Sequence, residues 1–490
     1  MQIPFGTLVT FANKSAFTEA IRQRQWDASE IPFADVRGYH IYSDLGLQLE
    51  ISAAENDQVA YRNLQIFQAY ASAAEGAARA AGIRILEVQG RRLHLFRESI
   101  RAEASLTAEV LNACKVFFAL ASEQIGAIAT GTPFTIRMAV DYGRAILLRS
   151  VGDDVSESIV SLGNAANRPA KKLARDVERA GVPAGHAAIN ETATNGDDNG
   201  APVWRIFDLS SAITSPERAT LVEQAKIAFS AAETLARSFE PNPQNPVNVP
   251  HRRRGFMLRA DLDGFSDQVR DAMAGGTETV QSLVRDFQVI MNYPVAFKDT
   301  LPEGVSVLAF PWAGDCANLL LECDNYSIER TYLPNRAAIN WHDQGRGLGG
   351  NGTDWRSRMR GSKWLVAIAG GEDREKQHGF ILTGNVFADG RTFHVGAGWS
   401  WQRSLDAEQS AGTRPEDTVI HNEDYGALDE PLQPPYSPHS EHPSLFKIAP
   451  FERLVKAQRE HEAKGKVSVP STVPGLGIRV EPPRPYVRNS

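Results

Sequence analysis

One order of elements is written twice along this chain. On either side of Glu240-Pro241-Asn242-Pro243-Gln244-Asn245-Pro246, whose prolines and polar side chains mark a linker, the same succession recurs: a strand, a long helix, a glycine-tipped hairpin and a further pair of strands. In the first copy these are Ile31 to Val36, a helix-rich stretch from Ala53 to Ala81, Ile83 to Leu86 with Leu93 to Phe96 around Gly90, and a helix from Ser105 to Ile125. Phe134 to Val140 and Arg144 to Arg149 then read as an antiparallel pair turned by Asp141-Tyr142-Gly143. A helix from Asn167 to Ala180 follows, with Pro169 acceptable only in its first turn. In the second copy Phe256 to Leu262 is the strand, Asp267 to Val289 the helix, and Val305 to Phe310 with Ala317 to Glu322 the hairpin. Trp364 to Ala369 with Gly379 to Thr383, then Thr392 to Gly398, complete it. Strands alternating with helices predict α/β or α+β domains. The boundaries are 1–240, a linker at 241–252, 253–410, and an irregular proline-rich tail at 411–490 with one polar helix from Phe451 to Lys464.

A chain of 490 residues with 42% apolar side chains can fill more than one core. Its net charge of -7 offers no overall basic field, so neither nucleic acid nor an anionic membrane is an expected partner. No apolar run approaches a membrane span of about 20 residues, and Met1-Gln2-Ile3-Pro4-Phe5-Gly6 lacks a signal-peptide pattern. A cytoplasmic protein is expected. Cys114, Cys316 and Cys323 are odd in number and outside CxxC spacing, which predicts reduced core thiols. The 11 histidines do not cluster with ligand spacing, which argues against a histidine-ligated metal hydrolase. Asp343-Gln344-Gly345-Arg346-Gly347-Leu348-Gly349-Gly350-Asn351-Gly352 lacks the Gly-Lys-Ser/Thr ending of a phosphate-binding loop and reads as a flexible surface loop.

Two distant stretches carry complementary chemistry. Asp261 closes the first strand of the second copy and Asp315 follows Gly314 at the hairpin tip, so pairing of those strands would set two carboxylates side by side. Like charges held that close need cations, and carboxylate oxygens, with the Leu262 carbonyl, suit hard divalent ions. Taken singly, Asp261 also reads as a helix cap and Asp315 as a turn residue. In the first copy, Gly163-Asn164-Ala165-Ala166-Asn167-Arg168-Pro169-Ala170-Lys171 offers an amide and cations instead.

Arg259-Ala260-Asp261-Leu262-Asp263-Gly264-Phe265 and Ala313-Gly314-Asp315 resemble the paired carboxylate motifs of class III nucleotidyl cyclases, and Gly163 to Lys171 is similar to their Gly-x-x-Val-Asn-x-x-x-Arg partner motif. The resemblance implies an α+β fold with two ferredoxin-like cyclase domains forming an intramolecular pseudo-heterodimer. It implies a metal half at Asp261, Leu262 and Asp315 holding two divalent cations, Mn²⁺ or Mg²⁺. It also implies a ribose and phosphate half at Asn167, Lys171 and Arg168, with Lys171 or Arg168 standing in for the family's arginine. Phe33-Ala34-Asp35-Val36-Arg37-Gly38-Tyr39 resembles the first carboxylate motif too, but its hairpin reads Gly90-Arg91, and Ser400 and Ser404 occupy the asparagine and arginine positions of the second copy. One site is therefore complete, and the opposite one, with Asp35, Arg91, Ser400 and Ser404, is dead.

In the same register the base-reading positions are Glu87 and Val160. A carboxylate only accepts hydrogen bonds, so Glu87 suits uracil, guanine or cytosine and clashes with adenine N1. The doubled architecture resembles the bacterial pyrimidine cyclases of antiphage signalling. That implies UTP as the favoured substrate and cyclic UMP as a second messenger, acting on an effector protein through the product rather than by contact. Cytidylate or guanylate cyclase stays open, as do a homodimer of chains and a catalytically dead pseudo-cyclase acting as a nucleotide-sensing module.

Overall fold

The computed structural model describes residues 7–11, 30–47, 57–89, 91–129, 133–149, 159–174, 181–194, 200–211, 220, 222–227, 251–323, 331–347, 364–369, 380–388, 391–397, 404 and 416–463. Residues 241–250 of the expected linker, Gly90, Ser400 and residues 464–490 lie outside them, and β9 begins at the linker's last two positions. The duplication takes the form of two mixed sheets, each backed by helices, in an α+β architecture.

The first sheet is built on strands β1 (Thr7–Phe11), β2 (Glu30–Leu47), β3 (Arg84–Gln89), β4 (Arg92–Glu98), β5 (Phe134–Arg149), β6 (Ile159–Leu162), β7 (His186–Asn190) and β8 (Trp204–Asp208). Its order is β3-β4-β2-β5-β7-β8, with β1 on β2 and β6 on β5. Helices α1 (Asp57–Ala80) and α2 (Ala104–Ile128) cover one face. Period-two alternation decides which one: Tyr39, Ile41 and Leu45 of β2 join Phe67, Tyr70, Ala74, Val110, Phe117 and Ala121 in one buried cluster. His40, Tyr42 and Asp44 point the other way. By length and composition α2 could cross a membrane, but Val110, Cys114, Phe117 and Ala121 are buried inside the domain, and the two helices pack on each other.

The second sheet repeats the order: β10 (Val305–Ala313), β11 (Cys316–Cys323), β9 (His251–Leu262), β12 (Trp364–Ala369), then β15 (Asp417–His421), β17 (Phe446–Pro450) and β16 (Ser437–Pro438). A hairpin of β13 (Phe380–Ala388) and β14 (Arg391–Ala397) pairs with the first residues of β9. The backing helix is split into α4 (Phe265–Gly275) and α5 (Thr277–Met291) at Gly276, whose φ of 99° suits glycine. Helix α3 (Asn164–Ala174) belongs to the first copy, and α6 (Leu333–Gly347) and α7 (Phe451–Ala463) to the second.

Three expectations change. Phe134 to Arg149 is one continuous strand paired with β2 throughout, not a hairpin: Gly143 lies opposite Gly38, where a Cβ would meet the Arg97 carbonyl oxygen at 2.2 Å, so close packing rather than a turn calls for glycine. Residues 343–347 end helix α6 instead of opening a loop, and the rest of that glycine-rich stretch lies outside the described residues. The stretch read as an irregular tail carries β15 to β17, ahead of the helix expected from Phe451, which is α7. β15 runs parallel to β12 through Val366↔Thr418 and Ile368↔Ile420, as β7 runs parallel to β5 through Met138↔Ala187 and Val140↔Ile189. The thiols are as expected: all three cysteines are buried and outside any disulfide, and burial pushes Cys114 up to about 12.

The two copies share a seam. Phe33, Ile146, Leu148, Val160 and Leu162 of the first lie in the same buried cluster as Phe256, Leu258, Phe265, Phe287 and Trp312 of the second. Arg144 spans it, pairing with both carboxylate oxygens of Asp35, at 2.8 and 2.5 Å, and donating to the Met273 carbonyl at 2.6 Å.

Candidate active site

β9 delivers Asp261 to the end of its sheet. The β9–β11 ladder closes at Ala260↔Ala317, so Asp261 lies one residue beyond that pair on β9 and Asp315 two residues before Ala317, in the turn that leads into β11. Gly314, at φ 64°, makes the hairpin tip, and Gly264, at φ 74°, turns the chain from β9 into α4. The paired placement read from the motifs is thus built by the sheet. Arg259, two residues upstream on the same strand face, is buried. Burial raises the Asp261 carboxyl, Arg259 and then Lys171 pull it down, and the Asp263 carboxylate raises it further.

The other half arrives from α3. Gly163 has φ 143°, and a Cβ there would meet the Arg144 carbonyl oxygen at 2.8 Å, so the helix starts against β5 only because this residue is glycine. The Asn167 amide donates to Ser266 Oγ at 3.0 Å across the domain boundary, and its Oδ1 lies 4.0 Å from a Cβ built on Gly314. Lys171 is exposed, and its charge is felt at Asp261. Asn167, Lys171, Asp261 and the Gly314 tip therefore meet at one place. The helix starts at Asn164 rather than Asn167, which puts Pro169 in the second turn, where it leaves the Ala165 carbonyl without its helical N–H.

Arg168 is engaged elsewhere. Its Nε donates to Asp141 at 2.6 Å and its Nη1 to the Gly200 carbonyl at 3.2 Å. Asp141 is 0% exposed and also accepts from the Asn190 amide at 2.9 Å and the Tyr142 N–H at 2.8 Å. Burial pushes the Asp141 carboxyl up to about 6 against these bonds and the Arg168 charge. Of the two cations left open by the sequence, the Lys171 charge acts on Asp261, and Arg168 ties α3 to β5 and to the Gly200 carbonyl ahead of β8.

Glu87 is 2% exposed on β3, opposite His94. The His94 ring stacks on Tyr42 at 4.2 Å and hydrogen bonds to His40 at 3.1 Å, and the Glu87 charge helps raise the Tyr42 hydroxyl, after burial. Val160 is fully buried in the apolar seam.

Strand register corrects one assignment. Ser43↔Leu93 on β2–β4 corresponds to Ala260↔Ala317 on β9–β11, because both hairpins close one residue earlier, at Gln89↔Arg92 and Ala313↔Cys316. The counterpart of Asp261 is therefore Asp44, not Asp35. The neighbouring strands agree: Asp44 pairs with Arg137 as Asp261 pairs with Leu365. The motif resemblance at Asp35 was misleading because β2 runs nine residues further before its site end. Asp44 is held by Arg137 at 2.5 Å and Arg92 at 3.7 Å. Of the expected second-copy partners, Ser404 is helical and buried.

The donor set at Asp261, Asp315 and the Leu262 carbonyl fits a divalent cation. These are hard oxygen atoms at one sheet end, and the upward push on Asp261 from burial and Asp263 is the strain that a bound cation relieves. Among the described residues no group of three or more His, Cys, Asp or Glu side chains converges as a metal site, so here the two carboxylates would act with backbone and substrate oxygens. Sequence reading missed Ser266, Arg259, Asp141 and Asn190. Arg259 was legible as the residue two before Asp261 on a strand, whereas the contacts of Ser266 and Asp141 come from distant segments.

No protein-family model and no curated protein matches this chain. Among solved structures, a class III adenylyl cyclase-like ATP-binding protein from Pseudomonas aeruginosa is similar over 91% of this chain and 99% of its own, at 15% identity and a TM-score of 0.61. That likeness shows the fold. The guanylyl cyclase Cya2 (13% identity, 41% of this chain, 92% of that one, TM-score 0.30) also matches. So does the adenylyl cyclase CyaB from P. aeruginosa (14%, 41%, 93%, TM-score 0.27).

Proposed function

We propose that this chain is a nucleotidyl cyclase with one working site, converting a nucleoside triphosphate, UTP favoured, to the 3′,5′-cyclic monophosphate and pyrophosphate. The observation that carries the reading is the meeting of Asn167 and Lys171 from one domain with Ser266 and Asp261 of the other beside the Gly314 tip. In the reaction the ribose 3′-oxygen attacks the α-phosphorus, the bond to the bridging oxygen breaks, pyrophosphate leaves, and the hydroxyl proton is released. The Asn167 amide, already set at the domain boundary, orients the ribose. Lys171, exposed beside Asp261, stabilises the charge that grows on the phosphoryl oxygens. The N-terminus of α4 presents backbone N–H groups beside Asp261 to the leaving phosphates. Asp261, Asp315 and the Leu262 carbonyl would hold two divalent cations, Mn²⁺ or Mg²⁺. When bound, these neutralise the triphosphate and make the 3′-hydroxyl more acidic.

Base choice rests on Glu87. With Val160 apolar, Glu87 is the polar group of the two base-reading positions, and it accepts an N–H such as uracil N3–H. Guanine N1–H and the cytosine amino group satisfy the same argument, adenine N1 does not, and the preference for uracil comes from the resemblance to pyrimidine cyclases. On this reading the product is a cytoplasmic second messenger that works through a separate effector, as the resemblance to antiphage pyrimidine cyclases implies. The deciding experiment is pyrophosphate release from ATP, GTP, CTP and UTP separately in Mn²⁺, with mass identification of the product. Cyclic UMP is the expected product, whereas cyclic AMP from ATP alone would refute the role of Glu87.

A second reading, nucleotide binding without turnover, is favoured by Arg259, a buried cation beside Asp261 that weakens the carboxylate's hold on a metal. The similar P. aeruginosa protein is itself described as ATP-binding. Saturable triphosphate binding with no pyrophosphate released in either Mn²⁺ or Mg²⁺ would establish it.

A further inference from the structure

Glu87 reaches its place through an irregularity in its strand. In the β3–β4 ladder Ile85 faces Leu95 and Glu87 faces His94, so Leu86 is the extra residue of a bulge. Ile85 and Val88 lie in the cluster under α1 and α2, whereas Leu86 packs with Phe96 on the other face. The bulge therefore turns Leu86 and Glu87 onto one face, which a regular strand would have divided between two. Glu87, His94 and Tyr42 stand in a row across β3, β4 and β2, through Glu87↔His94 and Tyr42↔His94. Glu87 and His94 are both buried, the His94 ring stacks on Tyr42 at 4.2 Å, and the Glu87 charge is felt at the Tyr42 hydroxyl. The carboxylate and the imidazole thus share one side of the sheet.

The other charges on that face have their own assignments. Asp44 is paired with Arg137 and, at 3.7 Å, with Arg92, whose charge acts on the Tyr42 hydroxyl in the sense opposite to that of Glu87. Asp141 is paired with Arg168 from α3, and Lys172 of the same helix lies over the Trp204 ring. His94 is the titratable side chain directly opposite Glu87. Its Nε2 is hydrogen bonded to Nδ1 of His40, which stands opposite Asp141, so Nδ1 of His94 is the ring atom that can carry a proton toward Glu87. In the second copy the same register positions hold Asn318 and Met257, neither of which takes up a proton.

The protonation state of Glu87 decides what a base edge must offer. Ionised, the carboxyl only accepts, and it takes an N–H. Protonated, it donates to adenine N1 while its second oxygen accepts from the adenine amino group. Burial favours the protonated form unless a proton-bearing partner stands beside the carboxylate.

We propose that His94 is a specificity-determining, positioning residue: it holds a proton beside Glu87, keeps that carboxyl ionised, and so sets the pocket for a base edge with an N–H. The inference rests on the base-reading role of Glu87, and it holds whether or not the chain turns over the nucleotide it binds.

The test is calorimetry of the full chain with the α,β-methylene triphosphates of uridine and adenosine, whose α–β link does not break. The parent is expected to prefer the uridine analogue. His94→Phe, which keeps a ring on Tyr42 and removes both ring nitrogens, should reduce that preference about tenfold or more. Glu87→Gln should reduce it too, and the double variant should add nothing to the larger single effect. His94→Phe weakening both analogues equally would make the residue merely structural and overturn the proposal. A preference that Glu87→Gln shifts and His94→Phe does not would remove His94 while leaving Glu87 as base reader. A preference unchanged by Glu87→Gln would remove Glu87 as base reader, and His94 with it. Infrared difference spectra of the parent against Glu87→Gln, taken without nucleotide at neutral pH, decide the matter should His94→Phe fail to fold. An ionised carboxylate band from Glu87 is expected, and a protonated carboxyl band there would overturn the proposal.

Discussion

The Asn167 amide donates to the Ser266 hydroxyl at 3.0 Å, one side chain from each copy of the duplicated fold. The bond holds the amide at the carboxylate end of β9 before any substrate arrives. Asn167→Ala is expected to lower kcat about 100-fold or more, by analogy with loss of one preorganised polar group, with the melting temperature nearly unchanged. Ser266→Ala should cost less than about tenfold, because it removes only the tether. Steady-state kinetics beside thermal melts will separate the two.

Lys171 and Arg168 differ in kind despite being three residues apart. Lys171 is exposed, so Lys171→Ala should reduce pyrophosphate release by about 100-fold or more while leaving the melt in place. Arg168→Ala strands the fully buried Asp141, a loss of about 3–5 kcal/mol that a urea titration will detect. A Lys171→Ala variant as active as the parent would remove the phosphate role from this residue.

Asp261→Asn and Asp315→Asn should each abolish turnover and weaken Mn²⁺ binding, measured by calorimetry on the unliganded chain. Asp35→Asn should leave pyrophosphate release within about twofold. Asp35 and Arg144 are each about 30% exposed, so the loss of their pair costs about 1 kcal/mol or less in stability. Equal loss of turnover in all three would contradict a single working site.

Asp141 makes stability depend on pH with a definite sign. Its carboxyl titrates near 6 in the fold, raised from 3.8 by burial. A raised folded value means that the native state holds the proton longer than the unfolded one. The contribution is therefore present below about pH 4 and lost as pH rises through about 6. Urea midpoints between pH 4 and 6.5 should show this slope in the parent and a shallower one in Asp141→Asn.

Much of this arrangement was legible along the chain because it is local. The duplicated order of elements, the strands and helices of each copy, the Gly314 tip and the start of α3 depend on periodicity and on glycine or proline positions, and they lie close to where they were expected. The residues brought together at the candidate site were also readable, since each sits in a short motif: Asp261, Asn167, Lys171 and the Gly314 tip that carries Asp315. What the sequence could not determine is anything fixed by pairing between distant segments. Ladder register makes Asp44 rather than Asp35 the counterpart of Asp261, because the facing residue is chosen by β4 and β5, about 50 and 90 residues away. Tertiary packing commits Arg168 to Asp141, because a buried carboxylate needs a partner that only the fold supplies. It also brings residues 417–450 beside β12, because an open sheet edge is satisfied by whichever strand of the chain reaches it.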